Sequence, residues 1–90
     1  MKIHIKFPSG ATKDVIGEWK GFEKISKESS AVAIKLKDGT MFLGDPRSVY
    51  REIDTDKVLY NPKDFVDEMN PNMADWMRKN PEWPHPELLL

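Results

Sequence analysis

The dipeptide Asp38-Gly39 stands between two apolar runs, Ala31-Val32-Ala33-Ile34-Lys35-Leu36 and Met41-Phe42-Leu43-Gly44, and no other feature restricts the fold as tightly. A two-residue type I′ turn needs positive φ at both central positions, and Asp-Gly is among the pairs that supply it, so the stretch reads as a β-hairpin. Such a turn sets the register, with Lys37 opposite Thr40, Leu36 opposite Met41, Lys35 opposite Phe42 and Ile34 opposite Leu43. Side chains alternate along a strand, so Val32, Ile34, Leu36, Met41 and Leu43 are expected on one apolar face that needs a core. Ala33, Lys35, Lys37, Thr40, Phe42 and Gly44 are expected on the other.

That arrangement places Phe42 between Lys35 and Lys37. An aromatic ring flanked by ammonium groups can stack on a base or dock on a partner, with the lysines meeting phosphates or acidic side chains. The preferred expectation is blander: Phe42 lies under another strand or the C-terminal helix, and the lysine stems cover its flank.

Lys2-Ile3-His4-Ile5-Lys6-Phe7 alternates strictly, the mark of a strand that buries Ile3, Ile5 and Phe7 and leaves Lys2, His4 and Lys6 outside. Pro8-Ser9-Gly10 ends it with turn residues. Residues 12–25 admit two periodicities. Val15, Ile16, Trp19, Phe22 and Ile25 fall at helical spacing, yet Gly17 and Gly21 interrupt the span, and each costs about 1 kcal/mol inside a helix. A strand is the expectation, the two glycines beside Trp19 marking a bulge or bend of the kind small barrels need. A helix there would give a strand, a helix and then the hairpin. Ser26-Lys27-Glu28-Ser29-Ser30 reads as a polar loop, without the glycines that let backbone amides converge on an anion.

Prolines punctuate the second half. Asp45-Pro46, Asn61-Pro62, Asn70-Pro71 and Asn80-Pro81 each join an N-capping residue to a proline suited to the first helical position. After Asp45, Val49, Tyr50 and Ile53 share a helical face, while Val49, Arg51 and Ile53 also alternate as in a strand. Val58-Leu59-Tyr60 reads as a closing strand. Phe65, Val66 and Met69, then Met73, Trp76 and Met77, form the apolar stripes of two short helices within 62–79, kinked at Pro71 and expected to cover the sheet. An adaptable methionine docking surface is the alternative. Residues 81–90, with three prolines between Pro81 and Pro86, read as an extended tail. Trp83 and the terminal leucines are expected to strap back onto this domain or onto a second copy.

The chemistry a chain can perform is bounded by what it lacks. Without cysteine it has neither disulfides nor thiolate metal sites, which fits a reducing compartment. It opens with no signal-peptide apolar region and holds no apolar run near the roughly 18 residues of a membrane span, so a cytoplasmic protein with no membrane contact is expected. His4 and His85 have no ligand spacing, Asp54-Thr55-Asp56 lacks the glycine and glutamate of a calcium loop, and no nucleophile triad or glycine-rich phosphate loop is present. No catalytic residue, metal or cofactor is therefore expected. Formal net charge is −1, but residues 1–37 carry eight lysines against four acids and residues 54–90 the reverse, eight acids against four basic residues. Either the first half presents a basic surface or the two halves neutralise each other on folding, the latter preferred.

The expected architecture is a single α+β domain over residues 1–80: about four to five antiparallel strands in a half-open, SH3-like β-barrel or curled sheet, with a C-terminal helical segment and an extended tail over 81–90. The expected function is that of a non-enzymatic protein-binding module, an accessory or inhibitory protein acting on a larger partner, with homo-oligomerisation as a variant. The alternative is a small-barrel nucleic-acid binder using Lys2 and Lys6 as well; the near-zero net charge weighs against it. The candidate binding residues are Lys35, Lys37, Phe42, Arg47, Arg51 and Trp83. A small-ligand pocket lined by Trp19, Phe42 and Tyr50 is a third option.

Overall fold

The computed structural model describes residues 1–90. Six strands, β1 (Lys2–Lys6), β2 (Thr12–Lys24), β3 (Ser30–Leu36), β4 (Met41–Gly44), β5 (Val49–Glu52) and β6 (Val58–Tyr60), form one curled antiparallel sheet in the order β4-β3-β2-β1-β5-β6. A 3-10 helix (Pro62–Glu68), the helix α1 (Pro71–Lys79) and a short 3-10 turn (Pro86–Leu89) follow. The sheet thus has six strands rather than four or five, and its curl makes a half-barrel. No helix is long and apolar enough to cross a membrane.

Residues 12–24 are a strand, and their glycines explain why. A Cβ on Gly17 would lie 2.5 Å from the Lys35 carbonyl oxygen and 2.8 Å from Ile34 Cγ2, so β3 can approach β2 this closely only at glycine. Between Trp19 and Gly21 the register against β3 shifts by one residue, and Gly21 has φ +91°. This bulge bends β2, which pairs with β1 through Ile16 and with β3 from Gly17 onward. One long strand therefore serves both halves of the curl. Its concave side gathers Ile3, Ile5, Val15, Val32, Ile34, Tyr50 and Tyr60 into the main core, with Trp19 and Phe22 packed against it.

The central hairpin forms, but its register is one residue away from the expected one. Ile34 pairs with Phe42 and Lys35 with Met41, around a three-residue loop, Lys37-Asp38-Gly39. The Leu36 carbonyl accepts from the Gly39 amide at 3.0 Å, and the Leu36 amide donates to Thr40 at 2.8 Å. Gly39 has φ +88° whereas Asp38 does not enter the left-handed region, the signature of a type I turn followed by a bulge. The Asp38 carboxylate accepts the Thr40 amide at 2.9 Å and so reinforces that geometry. A one-residue slip reverses every β4 side chain. Phe42 faces the core, while Met41 and Leu43, expected inside, are 43% and 53% exposed.

Asp45-Pro46 starts a turn instead of a helix, since the Ser48 amide returns to the Asp45 carbonyl at 3.1 Å and β5 begins at Val49. Pro46 and Ser48 are fully buried between half-buried Asp45 and Arg47, and the carbonyls of a turn drawn this far inside need partners. Three aromatic donors supply them. Tyr50 donates to Asp45 O at 2.9 Å, Tyr60 to Pro46 O at 2.7 Å and Trp83 Nε1 to Arg47 O at 2.7 Å. The turn thereby ties β5, β6 and the C-terminal segment to one point.

Burial pushes the Tyr50 and Tyr60 phenols well above their ordinary range; the Asp45 charge adds to the effect on Tyr50, and the Tyr50 and Asp45 charges add to that on Tyr60. An unfolded phenol ionises near pH ~10, so the stability these two neutral groups confer is complete below that pH and is lost as pH rises toward the folded values. The urea midpoint is expected to fall between about pH 8 and about pH 11, and to fall less steeply in Tyr60→Phe. An identical alkaline slope in that variant would contradict the assignment.

The C-terminal segment packs on the other side of β5. Val49 alternates with Tyr50 and joins Met69, Ala74, Met77 and Trp83 in a second core, so β5 is buried on both faces. Asn61 and Asn70 act as the expected N-caps, accepting from the Lys63 amide at 3.0 Å and the Met73 amide at 2.9 Å. Asn80 instead closes α1, its side-chain amide donating to Trp76 O at 2.8 Å, and the chain turns at Pro81. Residues 81–90 are docked, as preferred, but they are not extended throughout, because Pro86–Leu89 coils into a 3-10 turn.

Candidate functional site

Four of the six candidate binding residues have partners inside the fold. Phe42 is half-buried against the main core, with Lys13 Nζ 5.1 Å from its ring centroid. Arg47 is held by the Asp45 carboxylate, Nη2 to Oδ2 at 2.7 Å, and its guanidinium lies over the Trp76 ring at 5.0 Å from the centroid. The Asp45 hydrogen bond raises the Arg47 pKa, and the guanidinium bridges the turn and α1. Arg51 donates to the main-chain oxygens of Leu88 and Leu90 and meets the Asp56 carboxylate at 3.0 Å. Trp83 is buried in the second core. Aromatic and guanidinium groups of these kinds serve interfaces, and here Arg47, Arg51 and Trp83 join the sheet to its own C-terminal segment while Phe42 packs on the main core.

Lys35 and Lys37 are different. Both are exposed, and neither takes part in an ion pair. No ion pair joins a lysine of residues 1–37 to an acid of residues 54–90, so the two halves do not neutralise each other through direct contacts. His4, which the alternation places outside, pairs across the strands with Asp14 at 2.6 Å.

The two free lysines border the largest concavity of the surface, an open groove of about 640 Å³. Its apolar lining comes from Met1, Ile16, Trp19 and Leu36, with Gly17 between them and Glu18 as the one acid. The groove lies where β2 leaves β1: the Gly17 amide donates to Met1 O at 2.9 Å, and from Gly17 onward β2 pairs with β3 alone. Glu18 is neutralised locally. Lys20 contacts its carboxylate at 3.0 Å and, by hydrogen bond and charge, holds its pKa below the ordinary range, with a smaller contribution from Lys35.

No family model, characterised protein or solved structure matches this chain. Ile16 and Met1 are 50% and 49% exposed, side by side with two unpaired ammonium groups. Ile16 is not among the residues expected to bind, although Val15-Ile16 carries a signal: two adjacent apolar residues in a strand cannot both face the core. Trp19 and Tyr50 pack with ring centroids 5.6 Å apart and Tyr50 is fully buried, so Trp19, Phe42 and Tyr50 do not frame a common pocket.

Proposed function

We propose that this protein is a small non-enzymatic binding module, an accessory or inhibitory protein that takes a segment of a larger protein into the groove beside Ile16. The observation that carries the reading is the juxtaposition of half-exposed Met1 and Ile16 with the unpaired Lys35 and Lys37 along one cleft. Apolar anchoring with a few placed polar groups is the general form of such sites, and a volume of about 640 Å³ falls within their usual range. The fitting occupant is an extended segment with an aliphatic or methionine anchor next to one or two carboxylates. The anchor would cover Ile16 and the carboxylates would meet the lysines. The order β4-β3-β2-β1-β5, with a long bent strand shared by two halves, supports an SH3-like description of the sheet. The inward turn of Phe42 weighs against nucleic acid, since base stacking on this hairpin would need that ring outside.

Selection of peptides from a random displayed library on the intact protein tests the proposal. Enriched sequences are expected to place Asp or Glu within a few positions of Leu, Ile or Met. Their affinity is expected to fall about tenfold or more in Ile16→Asp and in the double variant Lys35→Glu, Lys37→Glu. Peptides that bind these variants as well as the parent would overturn the assignment. A single-stranded oligonucleotide that competes for the same residues, with a steep salt dependence, would transfer the groove to nucleic acid.

A further inference from the structure

The edge strand β4 is unprotected. Its sole strand partner is β3, and the sheet ends there. The Leu36–Thr40 hydrogen bond fixes the alternation along the hairpin, so Phe42 and Gly44 bond to β3 while the N–H and C=O of Met41 and Leu43 point away from it. No turn, loop or cap bond within the fold ends on Met41 or Leu43. Natural edges are shielded by charge, proline, a bulge or a covering segment. Met41-Phe42-Leu43-Gly44 has no charge or proline and keeps regular register, and the exposed Met41 and Leu43 side chains flank the open backbone groups. The opposite edge is better defended: β6 has only three residues and an irregular register against β5.

We infer that β4 pairs antiparallel with β4 of a second copy of this chain, about a two-fold axis at Phe42. In that register Met41 faces Leu43 of the other copy, and the two such pairs together exchange about four main-chain hydrogen bonds. The four exposed side chains merge into one apolar patch on the convex side. Lys35 lies beside Met41 across the hairpin, and the symmetry sets it in the row of the other copy's Ala33, so no like charges are opposed within the row. The shortness of the strand selects the occupant. Four residues offer too few bonds to hold a free peptide against the cost of ordering it, whereas a second copy brings a strand already ordered by its own hairpin. β4 itself lines no part of the groove, and Lys35 is the one groove residue paired with it, through Met41.

Register-specific crosslinking tests it on the full chain, which has no cysteine of its own. Met41→Cys and Leu43→Cys proteins, mixed under mild oxidation, are expected to form the mixed disulfide at least about tenfold faster than either forms a homodisulfide, because directly opposed Cα atoms lie about 5.5 Å apart. Equal rates would overturn the register. Sedimentation velocity across a concentration series checks the association itself. The parent is expected to dimerise, and Leu43→Pro, which removes a donor that β3 does not use, is expected to remain folded by circular dichroism and monomeric. Should that variant unfold, Met41→Lys with Leu43→Lys keeps every β3 bond and serves in its place. A parent that stays monomeric to its solubility limit, or charged variants that associate as the parent does, would sink the inference.

Discussion

Trp83→Ala is expected to destabilise the protein by about 3–5 kcal/mol, a large part of the roughly 5–15 kcal/mol available to a folded domain. The indole is 6% exposed and shares the second core with Val49, Met69, Ala74 and Met77, so its removal leaves a cavity that several elements would have to collapse to fill. It also withdraws the donor at 2.7 Å from the Arg47 carbonyl, in a turn whose Pro46 and Ser48 are fully buried. Trp83→Phe separates the two contributions: it keeps most of the packing and loses the donor, and is expected to cost about 1–3 kcal/mol. Urea unfolding of the three proteins checks the order. A Trp83→Ala protein as stable as the parent would mean that residues 81–90 do not fasten the sheet.

Gly44→Ala is expected to cost about 1–3 kcal/mol or more through overpacking. Gly44 is buried opposite Val32, and a Cβ there would fall well inside contact distance of the Tyr50 hydroxyl, which is fixed by its bond to Asp45 O. Tyr50 is wholly buried at the centre of the main core and cannot swing away. Deleting the hydroxyl relieves the clash in part, because the next atom, Tyr50 Cζ, would be 3.1 Å from the new Cβ. In a double-mutant cycle, Gly44→Ala should therefore be milder on a Tyr50→Phe background than on the parent. Additive costs would remove Tyr50 as the reason for glycine at this position.

The contrast between what was legible in the sequence and what was not follows the range of the interactions. Strict alternation in Lys2–Phe7 declared β1, and the Asn70-Pro71 pair declared the start of α1, because both signals act within a few residues. The hairpin was legible as a hairpin, yet Asp-Gly serves both two-residue and three-residue loops, and the choice between them decided which of Met41, Phe42 and Leu43 faces the core. That choice rests on Phe42 entering a core built by Tyr50 and Trp19, which local propensity does not encode. Asp45-Pro46 misled for the same reason, since β5 captures the chain at Val49 before a helix can form. Arg47, Arg51 and Trp83 read in sequence as interface chemistry, and the contacts they make lie within this chain, up to 39 positions away. The groove was hidden in the bend of β2, its one local clue being the adjacent pair Val15-Ile16.

The occupant proposed for the cleft beside Ile16 is an acidic segment with an apolar anchor. Its most direct test is a titration of the isotopically labelled protein by NMR, with a short extended peptide carrying leucine followed by two glutamates as the probe. Shifts confined to the amides of residues 16–19 and 35–37, the Trp19 indole and the Met1 methyl, absent in Ile16→Asp, are the predicted result. Shifts spread over the outer face of β1 or the C-terminal segment, or none up to millimolar peptide, would contradict it.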